Sequence, residues 1–203
     1  QHASDAMLAR MRRGHKRREL AELFTTLRRE RPDLTLRSTV LVGHPGETEA
    51  DFETLMEFIH DHPFDKLGVF AYSREEGTAA GAEVCLDPEL IAERVERIQT
   101  AQMHVSADQA ALQIGKRLMG VVEAVAGEQG RREYSRVADP LGSAPFPDAT
   151  LALRSSRDAY EVDGHLFCDS TRSAALGDWV EVEVQRADVY DLWGRIVGPA
   201  TLP

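Results

Sequence analysis

The chain has 203 residues and a mass of 22.5 kDa, with 24 basic and 34 acidic side chains and a formal charge of −10. At 42% hydrophobic and 29% charged residues it has the composition of a folded globular protein, which excludes an intrinsically disordered one. No run approaches the ~20 apolar residues of a membrane span and the first residues lack an apolar signal core, so a soluble, cytoplasmic protein without a membrane partner is expected.

Residues 4–62 predict helix, helix, strand, helix. Ser4 or Asp5 caps a short first helix, with Gly14 suited to a left-handed stop. The next helix, about 15–31, carries Leu20, Leu23, Phe24 and Leu27 at i, i+3, i+4 and i+7 and ends before Pro32. LTLRSTVLV (34–42) predicts a strand covered on both faces. Thr48 followed by Asp51 forms a capping-box variant and opens a helix with a stripe of Phe52, Leu55, Met56 and Ile59. KLGVFAY (66–72) is a second strand, and the alternation implies parallel βα units. A polar loop (73–84) follows. Pro88 then starts a long helix with Leu90, Ile91, Val95, Ile98 and Val105 on one face.

From Lys116 the pattern changes to short alternating runs (RLMGVVEAV, REYSRVA, AYEVDG, HLFCD, DWVEVEVQ, VYDLWGRIV), the signature of a small antiparallel barrel or sandwich. The fold class is therefore α/β followed by all-β, with a partial βα domain over 1–112 and a β-barrel over 116–197. Two parallel strands rarely form a stable sheet alone, and the chain opens on Gln rather than Met. Both features lead to the expectation that it is the C-terminal piece of a longer protein whose first domain is cut.

Chemistry concentrates in few places. The loop GHPGET (43–48) joins a strand to a helix N-terminus, where backbone amides can approach a ligand, although a plain tight turn built on Gly43 and Gly46 explains it as well. It is not a Walker loop. The cluster RMRRGHKRR (10–18) is diluted by Glu19, Glu22 and Glu30, which argues against a continuous phosphate track; one arginine taken from it suffices to grip a carboxylate. Cys85 and Cys168 lie far apart with no CxxC or CxxxCxxC, so no metal site and no iron–sulfur cluster is expected on this chain. No Ser–His–Asp arrangement and no HExxH stands out.

The segment MLARMRRGHKRRELAELFTTLRRERPDLTLRSTVLVGHPGETEADFETLMEFI, continued by FDKLGVFAYSREEGTAA, resembles the radical S-adenosylmethionine methylthiotransferases. The β segment after 116 resembles the TRAM domain, a small OB-like barrel that ends those enzymes. Glu75–Glu76–Gly77–Thr78, where tRNA-modifying members read RPGT, and the ending ADVYDLWGRIV point to the branch acting on an aspartate of a small-subunit ribosomal protein. The resemblance implies a βα (TIM-like) barrel, S-adenosylmethionine as radical source and methyl donor, and two 4Fe–4S clusters in the full-length protein. The clusters' CxxxCxxC would lie upstream of Gln1, so the chain alone is expected to be inert, with no catalytic residue of its own.

Residue by residue, the resemblance assigns Gln1 and Ser4 to the ribose of the cofactor and Arg13 to its methionine carboxylate, with Arg37 as a second candidate. It assigns Thr39, Leu41 and Gly43 to ribose and adenine, and Phe70 and Tyr72 to the adenine wall. His44 stands where the family usually has Phe. Between 158 and 191 nine acidic residues face two arginines, a net charge of −7. That balance opposes RNA and complements a basic ribosomal protein, so Glu161, Asp163, Glu181, Glu183, Asp188 and Asp191 are candidate docking residues. The alternatives are a tRNA methylthiotransferase whose TRAM domain binds tRNA, and a non-catalytic RNA- or protein-binding module.

Overall fold

The computed structural model describes residues 1–125, 149–160, 162–169 and 174–200, in two compact units, 1–105 and 106–203. The division falls inside the helix Pro88–Ala111.

In the first unit, α1 (Asp5–Arg10) is capped by Ser4. The left-handed residue after it is Arg12, at φ 55°, not Gly14. The chain turns earlier than expected because the Met11 and Arg12 amides close the helix, donating hydrogen bonds to the Met7 and Ala9 carbonyls. Helix α2 spans Arg17–Glu30; Leu20, Phe24 and Leu27 pack inward, but Leu23 is exposed. A surface helix buries one narrow stripe, and i+3 from Leu20 falls on its rim. Strand β1 (Arg37–Val42) and β2 (Lys66–Ala71) pair in parallel, Thr39 opposite Gly68 and Leu41 opposite Phe70. Helix α3 (Glu49–Asp61) opens with the expected reciprocal Thr48–Asp51 box.

Contrary to expectation, β1 is buried on one face only. Val40 and Val42 enter a core with Phe52, Leu55, Phe58, Ile59 and Phe64, while Arg37 and Thr39 are exposed on the alternate face and Leu41 is half-buried. Period-two alternation makes this unavoidable once helices cover a single side. Phe70 shares the open face and is 62% exposed.

Helix α4 (Pro88–Ala111) buries Arg94, Ile98 and Gln102 rather than a purely apolar stripe. Gln102 answers its own burial by donating to the Phe64 carbonyl at 3.0 Å.

The second unit is a closed five-stranded barrel in the order β3-β4-β5-β7-β6. Its strands are β3 (Arg117–Val125), β4 (Ala149–Ser155), β5 (Leu166–Asp169), β6 (Trp179–Ala187) and β7 (Leu192–Pro199). All neighbours are antiparallel except β5 and β7. Val122, Leu151, Leu153, Leu166, Val182 and Ile196 fill it. Strand β4 was not expected, because TLALRS lacks the clean alternation of its neighbours. AYEVDG, expected as a strand, is a turn at its described residues, and the REYSRVA run lies outside the described residues. The expected order, α/β and then a small β-barrel, stands.

Candidate functional site

Because β1 and β2 are parallel, the turn 43–47 and the loop after Ala71 leave the sheet at the same end, the end where open α/β sheets bind ligands. Gly43 and Gly46 adopt φ of +81° and +82°. A Cβ on Gly43 would lie 2.6 Å from Ile91 Cγ1, so glycine is required there by conformation and by packing alike.

The turn is held from below by a buried network. Glu47 Oε1 accepts from Arg94 Nη1 at 2.5 Å, and its Oε2 accepts the Gly43 amide at 2.9 Å. Arg94 Nη2 also bonds Glu49, at 2.8 Å. Both Arg94 and Glu47 are almost wholly buried. Burial pushes the Glu47 carboxyl above the usual carboxylate range, against the opposing pull of Arg94. Hydrogen bonding to Arg94 holds exposed Glu49 low.

His2 completes the network. Its Nδ1 accepts the Ser4 amide at 3.0 Å, which requires that nitrogen to be unprotonated. Burial lowers its pKa to about 4, and Nε2 lies 3.7 Å from Glu47 Oε2, too far for a hydrogen bond. On the other side, Ser4 Oγ donates to Asp51. Burial opposes ionisation of Asp51, but bonds from Ser4 and Thr48 outweigh it and keep its carboxyl low. Arg10, from the basic cluster, donates to the Pro45 carbonyl and pairs with Glu83.

Several expected cofactor residues converge. The Gln1 carbonyl accepts the Leu41 amide at 2.8 Å, setting the chain start beside β1. Arg13 donates to the Gln1 side-chain oxygen and has no carboxylate partner among the described residues. Thr39, Leu41 and Phe70 share the open face of the sheet, as does Arg37 at its far end. Tyr72 packs edge-on against His44, ring centroids 5.3 Å apart, and its buried hydroxyl has no hydrogen-bond partner. Ser4 is different: its hydroxyl is already engaged as helix cap and donor to Asp51.

Residues of this chain thus fit a cofactor with a carboxylate and a polar ring system at one end of the sheet: a cation without a counter-ion and an orphaned buried hydroxyl are both there. They do not fit an iron–sulfur cluster. Cys85 is exposed, Cys168 is buried, and no metal-binding group of three ligands occurs among the described residues. Sequence reasoning missed Arg94 and Glu47. The available signal was a lone charge within the apolar stripe Ile91–Val95–Ile98.

In the barrel, the candidate docking carboxylates are tied to their own unit. Glu181 pairs with Arg117 (3.3 Å) and Glu183 with Arg195 (2.8 Å). Asp163 accepts the Ala159 amide, Asp188 those of Tyr190 and Asp191, and Asp191 that of His165. Glu161 lies outside the described residues. Arg154 pairs with Glu123 and sits over Tyr160, and Arg186 sits over Trp193.

The TRAM domain family model matches residues 147–197, which take in strands β4 to β7 of the closed five-stranded barrel. Over nearly its whole length the chain is similar to the ribosomal protein uS12 methylthiotransferase RimO. It is 38% identical to RimO of Hahella chejuensis over 198 residues and to that of Desulfitobacterium hafniense over 197. RimO of Thermotoga maritima is 35% identical over 198 residues. Each match covers 97% of this chain and 40–41% of the relative, so the chain spans about two fifths of the length of these curated relatives. No helix among the described residues is long and apolar enough to cross a membrane.

Proposed function

We propose that this chain is the C-terminal part of a cytoplasmic methylthiotransferase that modifies the β-carbon of an aspartate in a basic small-subunit ribosomal protein. The observation that carries the reading is the 38% identity over 97% of the chain, which takes in both the 43–47 turn and the barrel. The domains of the proposal are a partial radical S-adenosylmethionine domain, 1–112, and a TRAM barrel, 116–197.

In the intact enzyme S-adenosylmethionine supplies the radical and the methyl group, with two 4Fe–4S clusters bound outside this chain. This chain binds and orients. Arg13 offers its guanidinium fork to a carboxylate, Thr39 and Leu41 line the open face, and Gly43 lets backbone come close. Phe70 and Tyr72 wall the far side, the Tyr72 hydroxyl finding a partner there. Gln1 presets Arg13, and Arg37 stands in reserve at the far end of β1. Lacking cluster cysteines, the chain is inert by itself.

The barrel docks the substrate protein through its acidic balance. Basic side chains of the partner compete with Arg117 and Arg195 for Glu181 and Glu183, as electrostatic complementarity requires.

The test is methylthio transfer by the longer protein, read by mass spectrometry on purified ribosomal protein and on tRNA. Modification of the protein alone, with loss of S-adenosylmethionine binding in Arg13→Ala, is the expected result. Modification of tRNA overturns the reading.

A further inference from the structure

The loop that leaves β2 is a built structure. The Thr78 hydroxyl donates to the Glu75 carbonyl at 2.8 Å and accepts the Gly81 amide at 3.0 Å. Gly77 turns at φ +78°, and a Cβ on Gly81 would lie 2.1 Å from the Glu75 carbonyl oxygen, so the loop closes only with glycine there. It surrounds an open cleft of about 620 Å³ lined by Arg74, Glu76, Gly77, Thr78, Gly81 and Ala82.

Arg74 is oriented within that cleft. Its Nε donates to the Gly81 carbonyl at 2.7 Å, which fixes the plane of the guanidinium and leaves both terminal nitrogens without a protein partner among the described residues. Those two nitrogens form the end-on edge that takes a carboxylate in two parallel bonds. Several arginines of this unit are matched to acids, Arg10 to Glu83, Arg17 to Glu57, Arg28 to Asp65 and Arg97 to Glu49 and Glu53, whereas Arg74, like Arg13, has no carboxylate partner among the described residues. Arg74 is followed in sequence by two glutamates and pairs with neither, and Glu75 and Glu76 are exposed and form no ion pair among the described residues.

One fixed cation with two unpaired anions on its rim is a surface of mixed sign. A polyanion is repelled by the rim, and a purely basic peptide leaves the Arg74 fork without a carboxylate partner. The complement is a peptide with one acidic side chain flanked by basic ones. We propose that the 73–82 loop reads such a peptide, Arg74 taking the carboxylate and Glu75 and Glu76 the flanking cations. The proposal rests on the reading that an aspartate of a basic protein is the substrate. Parallel strands bring the loop to the same end of the sheet as the 43–47 turn, and the Tyr72–His44 contact joins the two.

The test is fluorescence anisotropy with the full 203-residue chain and short labelled peptides carrying Asp or Asn between lysines. A charge-assisted bidentate pair predicts that the Asp peptide binds about tenfold or more tightly than the Asn peptide. Arg74→Met brings the Asp/Asn ratio to unity, and Arg74→Lys keeps part of it. Glu75→Gln with Glu76→Gln weakens both peptides, flattens the salt dependence and leaves the ratio intact. All three residues are exposed, and unchanged circular dichroism verifies the fold. Equal binding, no binding, a ratio that survives Arg74→Met, or stronger competition from an oligoribonucleotide overturns the proposal. The readout needs no cofactor, so it stands or falls separately from the transfer assay: tRNA modification there would remove the functional reading while the ratio still decides the cleft.

Discussion

Replacing Arg94 by methionine tests whether the turn is held by a buried charge pair. The substitution keeps most of the packing volume and, among the described residues, removes the only cation bonded to Glu47, whose side chain is fully buried. An uncompensated buried carboxylate costs about 3–5 kcal/mol. At an m-value of ~2 kcal/mol/M, a loss of ~4 kcal/mol moves the urea midpoint by ~2 M. The sign of the pH dependence follows from Glu47. Its folded pKa is already raised by burial, and losing Arg94 raises it further. A carboxyl raised in the folded state stabilises below its unfolded pKa, and that contribution disappears as pH rises through the folded value. The difference between variant and unaltered protein is therefore largest near pH 8 and shrinks toward pH 5. Both tryptophans, Trp179 and Trp193, lie in the second unit. Far-UV ellipticity thus follows the helices of the first unit, while fluorescence is an internal control that stays put. Glu47→Gln added to Arg94→Met restores part of the loss, since no charge is then stranded. A loss below ~1 kcal/mol, or one independent of pH, refutes the argument.

Gly43→Ala combines a left-handed φ with a collision against Ile91, and costs about 2 kcal/mol or more, read from the helical transition. Leu153→Ala opens a cavity beneath Gly120 at the centre of the barrel; a loss of about 3–5 kcal/mol is expected in the tryptophan transition, with the helical one unmoved. A thiol reagent at neutral pH labels one equivalent in the native chain. Cys85 is exposed, whereas burial pushes the Cys168 thiol up to about 12, so Cys168 reacts only in denaturant.

Local chemistry was legible in the sequence wherever neighbours along the chain decide the outcome. Ser4 and Thr48 cap their helices because hydroxyl and amide lie three residues apart. The stripe of α3, the parallel order of β1 and β2, and the change to a β-barrel after Lys116 follow from periodicity, which the chain carries in itself. Glycine at 43 and 46 announced a turn, and the turn is there. What depended on elements far apart in sequence was settled only in three dimensions. Which face of β1 is covered depends on where the helices pack, so Thr39 and Phe70 came out open. Arg94 drew no notice beside the apolar stripe of its helix, and only folding brings Glu47, 47 positions away, against it. The carboxylates of the barrel read as a free acidic face, but turns and cross-strand arginines claim Asp163, Asp188, Asp191, Glu181 and Glu183. Periodicity specifies which side of an element is apolar; only the packed chain specifies which charge finds which partner, because that pairing is a property of distance through space and not of distance along the sequence.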